Sequence, residues 1–149
     1  MKKGVDYIGV GVGAAIFNDD GKLFITKRGP GVQNDKGKWE IPGGAVEFGE
    51  TCKQAVKREI KEENDIDIEV LELLGVHDHI LPDEGQHWFS PTYICRIVRG
   101  EPKILEPDKC TDIGWFTVEE TEQLDISSVT QHDIELLKKK YPNGYRIKA

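Results

Sequence analysis

The chain has 149 residues and a mass of 16.8 kDa, the usual size of one domain, and its 38% hydrophobic content is enough for a core. With 32% charged residues and a mean hydropathy of -0.49 it has no apolar run able to span a membrane. Twenty basic against 27 acidic residues leave a net charge of -7, which opposes the electrostatic footprint of a protein that wraps nucleic acid polymers. A small phosphorylated ligand is compatible with that charge only if a metal or a few placed cations overcome it locally. Cys52, Cys95 and Cys110 are odd in number and form no CxxC pair. They suggest neither a disulfide framework nor a cysteine zinc site, so a reducing cytoplasm is expected.

In chain order, Tyr7 to Phe17 alternates as a strand, with Ile8, Val10, Val12, Ala14 and Ile16 on one face and Gly9, Gly11 and Gly13 on the other. The glycine face invites close approach. A signal peptide is a poor description of this stretch because Asp6 interrupts the junction. The letters Gly9 to Ala14 also satisfy a dinucleotide-binding fingerprint, but no strand precedes them and no helix pattern follows. Asn18-Asp19-Asp20-Gly21 predicts a turn into a second strand, Lys22 to Arg28, and hence an entry β-hairpin. The polar loop from Gly29 to Lys38 leads to Trp39-Glu40-Ile41-Pro42-Gly43-Gly44, where Pro-Gly-Gly argues against regular structure. Thr51 to Asn64 lacks Gly and Pro and spaces Cys52, Ala55, Val56 and Ile60 as a helix, which ends at Asn64-Asp65. Strand-like runs follow at Ile66 to Val76, His87 to Val98 and Ile113 to Phe116. A helical turn at Val118 to Leu124 and an amphipathic helix from Val129 to Tyr141 complete the chain. Lys138, Lys139 and Lys140 suit the end of that helix and its dipole.

At about 100° per residue, with Val56 as zero, Ile60 lies near +40°, Cys52 near −40°, Glu63 near −20° and Glu59 near −60°. Two acids therefore share the apolar stripe. Near a core they would suffer desolvation and mutual repulsion, which a proton or a cation must relieve. Oxygen-only clusters of this kind suit Mg2+ or Mn2+, which complete their coordination with water and phosphate. Glu62 sits beside Glu59, whereas Glu50 falls on the opposite side with Lys57 and Lys61, as a solvated group would. Arg58 projects toward the far side of the helix, where anchoring a loop is its expected task.

The stretch Gly44-Ala-Val-Glu-Phe-Gly-Glu50-Thr-Cys-Lys-Gln-Ala-Val-Lys-Arg58-Glu59-Ile60-Lys-Glu62-Glu63-Asn-Asp65-Ile66 resembles the Nudix hydrolase signature, Gx5Ex7REUxEExGU with U aliphatic. The one departure is Asp65 where the family carries Gly, at an expected left-handed cap that Asp tolerates. The resemblance implies a mixed α/β (α+β) fold, a Nudix-type α/β/α sandwich with a mixed β-sheet, as one domain over residues 1–149. It also implies divalent metal, Mg2+ with Mn2+ as substitute, held by Glu59, Glu63 and Glu62 with the Gly43 carbonyl. Glu62 is an additional ligand or a base for water, while Arg58 and Glu50 hold the catalytic loop.

The segments Pro42 to Thr51 and Glu106 to Phe116 look most similar to MutT-type enzymes. They imply hydrolysis of a (deoxy)nucleoside triphosphate, damaged or not, to nucleoside monophosphate and pyrophosphate. ADP-ribose or a dinucleoside polyphosphate is the alternative substrate, and Pro82 lies near where ADP-ribose hydrolases of the family carry a proline; a turn explains it equally well. A non-catalytic nucleotide-binding module is a further alternative. The expected partner is a small nucleotide, without nucleic acid polymer or membrane. A homodimer is common among relatives, although no apolar patch can be assigned from sequence.

Several side chains keep two readings. Glu106 and Asp108 are a further carboxylate near the metal or a solvated acidic loop. Arg28 is a phosphate or base ligand or an exposed strand-end cation. Trp39, Trp88, Phe89 and Trp115 stack on a base or fill the core. His77 and His79 imitate a metal pair but lack a third ligand in register.

Overall fold

The computed structural model describes residues 1–32 and 34–148. The elements are β1 (Gly9–Ile16), β2 (Leu23–Arg28), β3 (Trp39–Glu40), β4 (Gly43–Ala45), α1 (Cys52–Asn64), β5 (Asp67–Leu81), β6 (Gln86–Arg99), β7 (Cys110–Phe116) and α2 (Ser128–Lys140). Short 3-10 turns lie at Pro82–Glu84 and Glu120–Gln123. One sheet runs β4-β1-β6-β5 and another β3-β2-β7. The first is mixed, because β1 is parallel to β6 and antiparallel to β4. Among the described residues no helix is long and apolar enough to cross a membrane.

The alternation of β1 decides the layering. Val12, Ala14 and Ile16 pack with Ala55, Val56 and Ile60 of α1, while Ala15 and Phe17 pack with Ile134 and Leu137 of α2. The helices thus cover opposite faces, in the layered arrangement expected for the chain. Each fully buried Val or Ile contributes roughly 1.5–3 kcal/mol by leaving water. Beyond the reach of α1 its sheet face is uncovered, and Ile8, Val10, Val76, Ile80 and Phe89 remain exposed, an apolar patch that the sequence did not disclose.

Two expectations need correction. The entry hairpin does not form as a paired unit: β1 and β2 share only the bridge Phe17↔Leu23 and then enter different sheets. Both edges of β1 are taken, by β4 and β6, which leaves β2 to pair with β3 and β7. Pro-Gly-Gly is also not irregular, since Gly43–Ala45 forms β4 against β1 with Gly13 opposite Gly43 and Gly11 opposite Ala45. That approach requires glycine: a Cβ on Gly43 would stand 1.9 Å from the Val12 carbonyl oxygen. The glycine face of β1 is crowded as anticipated, with Gly9 against Trp88, Gly11 against Ser90 and Gly13 against Thr92 of β6.

Helix α1 starts and stops as its sequence requires. Thr51 accepts from the Gln54 backbone N–H while the Gln54 side chain accepts from the Thr51 N–H, a complete capping box. Asp65 takes φ 56°, ψ 40° at the C-cap, the left-handed conformation anticipated there. Its carboxylate pairs with Lys61 and Lys103 at 3.5 and 3.7 Å.

Candidate active site

Helix α1 and the loop before it are tied together by Arg58. Its Nε and Nη2 donate to both carboxylate oxygens of Glu50 at 3.0 and 2.6 Å, and Nη2 also donates to the Ala45 carbonyl at 3.0 Å. This paired guanidinium lowers the Glu50 carboxyl to about 2 and raises the Arg58 value above its ordinary range. Glu50 is therefore part of a clamp. It precedes the N-cap, so its position on a helical wheel did not describe it. Arg58 anchors the loop as expected, but it does not stay on the far side of the helix: Nη1 reaches Glu59 at 3.0 Å and Glu62 at 3.3 Å.

Glu59 is largely buried, with its side chain 16% exposed and its carboxylate against the Cα of Gly44. A Cβ on Gly44 would sit 2.2 Å from that carboxyl carbon, so this glycine makes room for the acid. Burial raises the Glu59 carboxyl, and Arg58 opposes the rise. Burial, then the nearby carboxylates of Glu59, Glu40 and Glu106, push Glu63 up to about 8. Glu62 is on the open side, 54% exposed.

Of these acids Glu63 borders a cavity of about 400 Å3, lined also by Gly43, Gly44, Glu40, Glu106 and Lys109 among others. Lys109 pairs with Glu106 at 3.0 Å, as Arg58 does with Glu59 and Arg28 with Glu40, while among the described residues no ion pair reaches Glu63. A donor set of crowded, partly dehydrated carboxylates beside a backbone carbonyl suits a hard divalent cation. Among the described residues no three His, Cys, Asp or Glu side chains are gathered tightly enough to hold an ion unaided. Such an ion would complete its coordination with the Gly43 carbonyl and with water or phosphate oxygen.

The other candidates fall as follows. Arg28 lines the cavity but is spent on protein partners: Nη1 donates to both Glu40 oxygens at 2.9 Å, and Nε and Nη2 donate to the carbonyl and side chain of Asn34. Glu106 is brought to the acids, whereas Asp108 instead offers its backbone carbonyl to the N–H of Gly31. Trp88 lines the cavity, with Nε1 donating to the Gln86 side chain at 2.9 Å. Trp39 and Trp115 pack on the cores, and Phe89 is 40% exposed. His77 binds Asp133 at 2.8 Å rather than pairing with His79 as a metal site. Pro82 opens the 3-10 turn between β5 and β6, which accounts for it as a turn residue. Sequence reasoning missed Glu40, Lys109 and Asp133. Glu40 stands two residues before a Pro-Gly-Gly read as irregular, and Asp133 lies on the buried stripe of α2 beside Ile134 and Leu137, the same signal that exposed Glu59 and Glu63.

Comparison with known proteins gives the decisive observation: residues 8–138 match the NUDIX domain. The chain belongs to the Nudix family. A MutT NUDIX hydrolase crystal structure from Burkholderia pseudomallei is 37% identical, with TM-score 0.81, covering 89% of this chain and 99% of that one. Nudix hydrolase 5 of Arabidopsis thaliana is 37% identical over 115 residues, 74% of this chain and 37% of the relative. An ADP-ribose pyrophosphatase of Methanocaldococcus jannaschii is 40% identical over 90 residues, 59% of this chain and 51% of the relative. The chain therefore spans about a third to a half of the length of these two curated relatives, while the Burkholderia pseudomallei structure is matched along nearly its whole length.

Proposed function

We propose that this Nudix domain hydrolyses a pyrophosphate bond in a nucleoside diphosphate derivative with Mg2+, the favoured substrate being a (deoxy)nucleoside triphosphate cut to nucleoside monophosphate and pyrophosphate. The observation that carries the proposal is the gathering of Glu59, Glu40 and Glu106 around Glu63, which lines the cavity with Glu40 and Glu106. Glu59, Glu63 and Glu62, with the Gly43 carbonyl, are the groups that would hold the metal. When bound it would neutralise phosphate charge and make a water more acidic. Arg58 fixes Glu59 and, through Glu50 and the Ala45 carbonyl, the loop entering α1. Glu62, on the open side beside Arg58, would accept a proton from water. Lys109, paired with Glu106 on the cavity wall, would exchange that carboxylate for a phosphate oxygen.

The test is a product assay with Mg2+ over nucleoside triphosphates, oxidised nucleotides, ADP-ribose, dinucleoside polyphosphates and a 5′-triphosphorylated RNA. Nucleoside monophosphate and pyrophosphate from a triphosphate are expected. Nucleoside diphosphate and inorganic phosphate, or turnover confined to ADP-ribose, would overturn the substrate assignment; binding without any turnover would instead favour a nucleotide-binding module.

A further inference from the structure

The cavity does not end at the carboxylates. Its floor is the glycine-bearing face of the β4-β1-β6-β5 sheet, where Gly13 lies beside Thr92, His77 beside Ser90 and His79 beside Trp88. From β4, next to Glu59, to β5, which carries His77, is three strand spacings, about 14 Å. A nucleotide spans that distance from phosphate to the far edge of its base. At this far end stands Asp133 of α2, 3% exposed yet lining the cavity.

Asp133 is not an ordinary buried acid. His77 Nε2 is 2.8 Å from its Oδ1, so the carboxylate is held from β5. An ionised carboxylate offers about four acceptor positions and no donor. His77 occupies one, which leaves acceptor capacity for a ligand in the cavity. A buried acceptor left unfilled costs more than a filled one, so a ligand lacking the matching donors is rejected.

We propose that Asp133, held by His77, reads the base of the substrate and selects a heterocycle edge with two adjacent N–H donors, a ring imino group beside an exocyclic amine, as guanine presents. Uracil and thymine offer one ring N–H between two carbonyls. Adenine and cytosine offer an amine beside a ring acceptor, which faces the carboxylate unfavourably. Trp88 and Leu81 supply apolar wall on the same floor. The inference rests on the nucleotide reading of the cavity made above. The plainer role for the pair, a staple between β5 and α2, requires no ligand and gives different results below.

The experiment compares GTP with ITP, which lacks only the exocyclic amine, for wild type and Asp133→Asn. Wild type is expected to favour GTP in kcat/KM by about 10-fold or more, the scale of a lost specific base contact. Asp133→Asn should bring the ratio close to one while ITP turnover persists. Equal turnover of GTP and ITP by wild type, or an equal loss of both in the variant, would overturn the proposal in favour of a staple. Calorimetry of GMP against IMP and N1-methyl-GMP on wild type separates the two levels of the account. Tighter GMP binding without turnover would defeat the hydrolase reading and keep the base site; equal binding of all three would defeat the base site whatever the turnover. The same wild-type measurement decides if Asp133→Asn does not fold.

Discussion

Arg58 and Glu50 illustrate how one side chain can carry a loop. The clamp joins α1 to the residues before it through two charge-assisted hydrogen bonds and a backbone carbonyl, so removing either partner strands the other. Because the Glu50 carboxyl is lowered to about 2 from an unfolded value near 4.5, its stabilising contribution is complete above the unfolded value and disappears as pH falls through about 2. Thermal melts of wild type and Glu50→Gln should therefore differ at neutral pH, with wild type higher, and converge between pH 4.5 and 2. A gap that stays constant across that range would show that the ion pair does not carry the difference. The pairing itself was legible only through the family signature. Helical geometry placed Glu50 among solvated lysines because it treated a residue outside the helix as one inside it.

Helix α1 was legible almost to the residue, since capping box, stripe and stop signal are all local in sequence. Its burial makes a direct prediction. Ile60 is fully buried among Val56, Ile66 and Ile68, so Ile60→Ala should cost about 2–5 kcal/mol in chemical denaturation, whereas a loss below about 1 kcal/mol would mean the stripe does not face the core. The strands were less legible. Turn chemistry at Asn18 to Gly21 correctly marked a chain reversal, with Asn18 Oδ1 accepting from Asp20 and Lys22, but reversal does not fix which strands then pair. Likewise β4 exists only because its glycines meet a glycine-bearing β1, a fact about two distant segments that neither announces alone. Asp133 was missed for a different reason: one acid on an apolar stripe reads as an ordinary helix surface until His77 is seen to hold it.

Over the whole molecule, a protein of charge -7 gathers still more negative charge at one end of its cavity, and it does so on the family signature. Such a concentration is costly alone and useful with a cation, which binds the folded state and shifts its stability by mass action. Magnesium should therefore raise the melting temperature of the metal-free protein and EDTA should reverse the rise, with Glu63→Gln much less responsive. The same variant keeps the shape of the side chain and removes its charge, so its turnover should fall by at least ~100-fold while its fold persists. The most direct measurement is titration of Mn2+ into the metal-free protein, followed by electron paramagnetic resonance. Wild type should take up the ion at a site that Glu63→Gln loses or greatly weakens; no uptake by wild type, or equal uptake by both proteins, would contradict the assignment of these carboxylates as a metal centre.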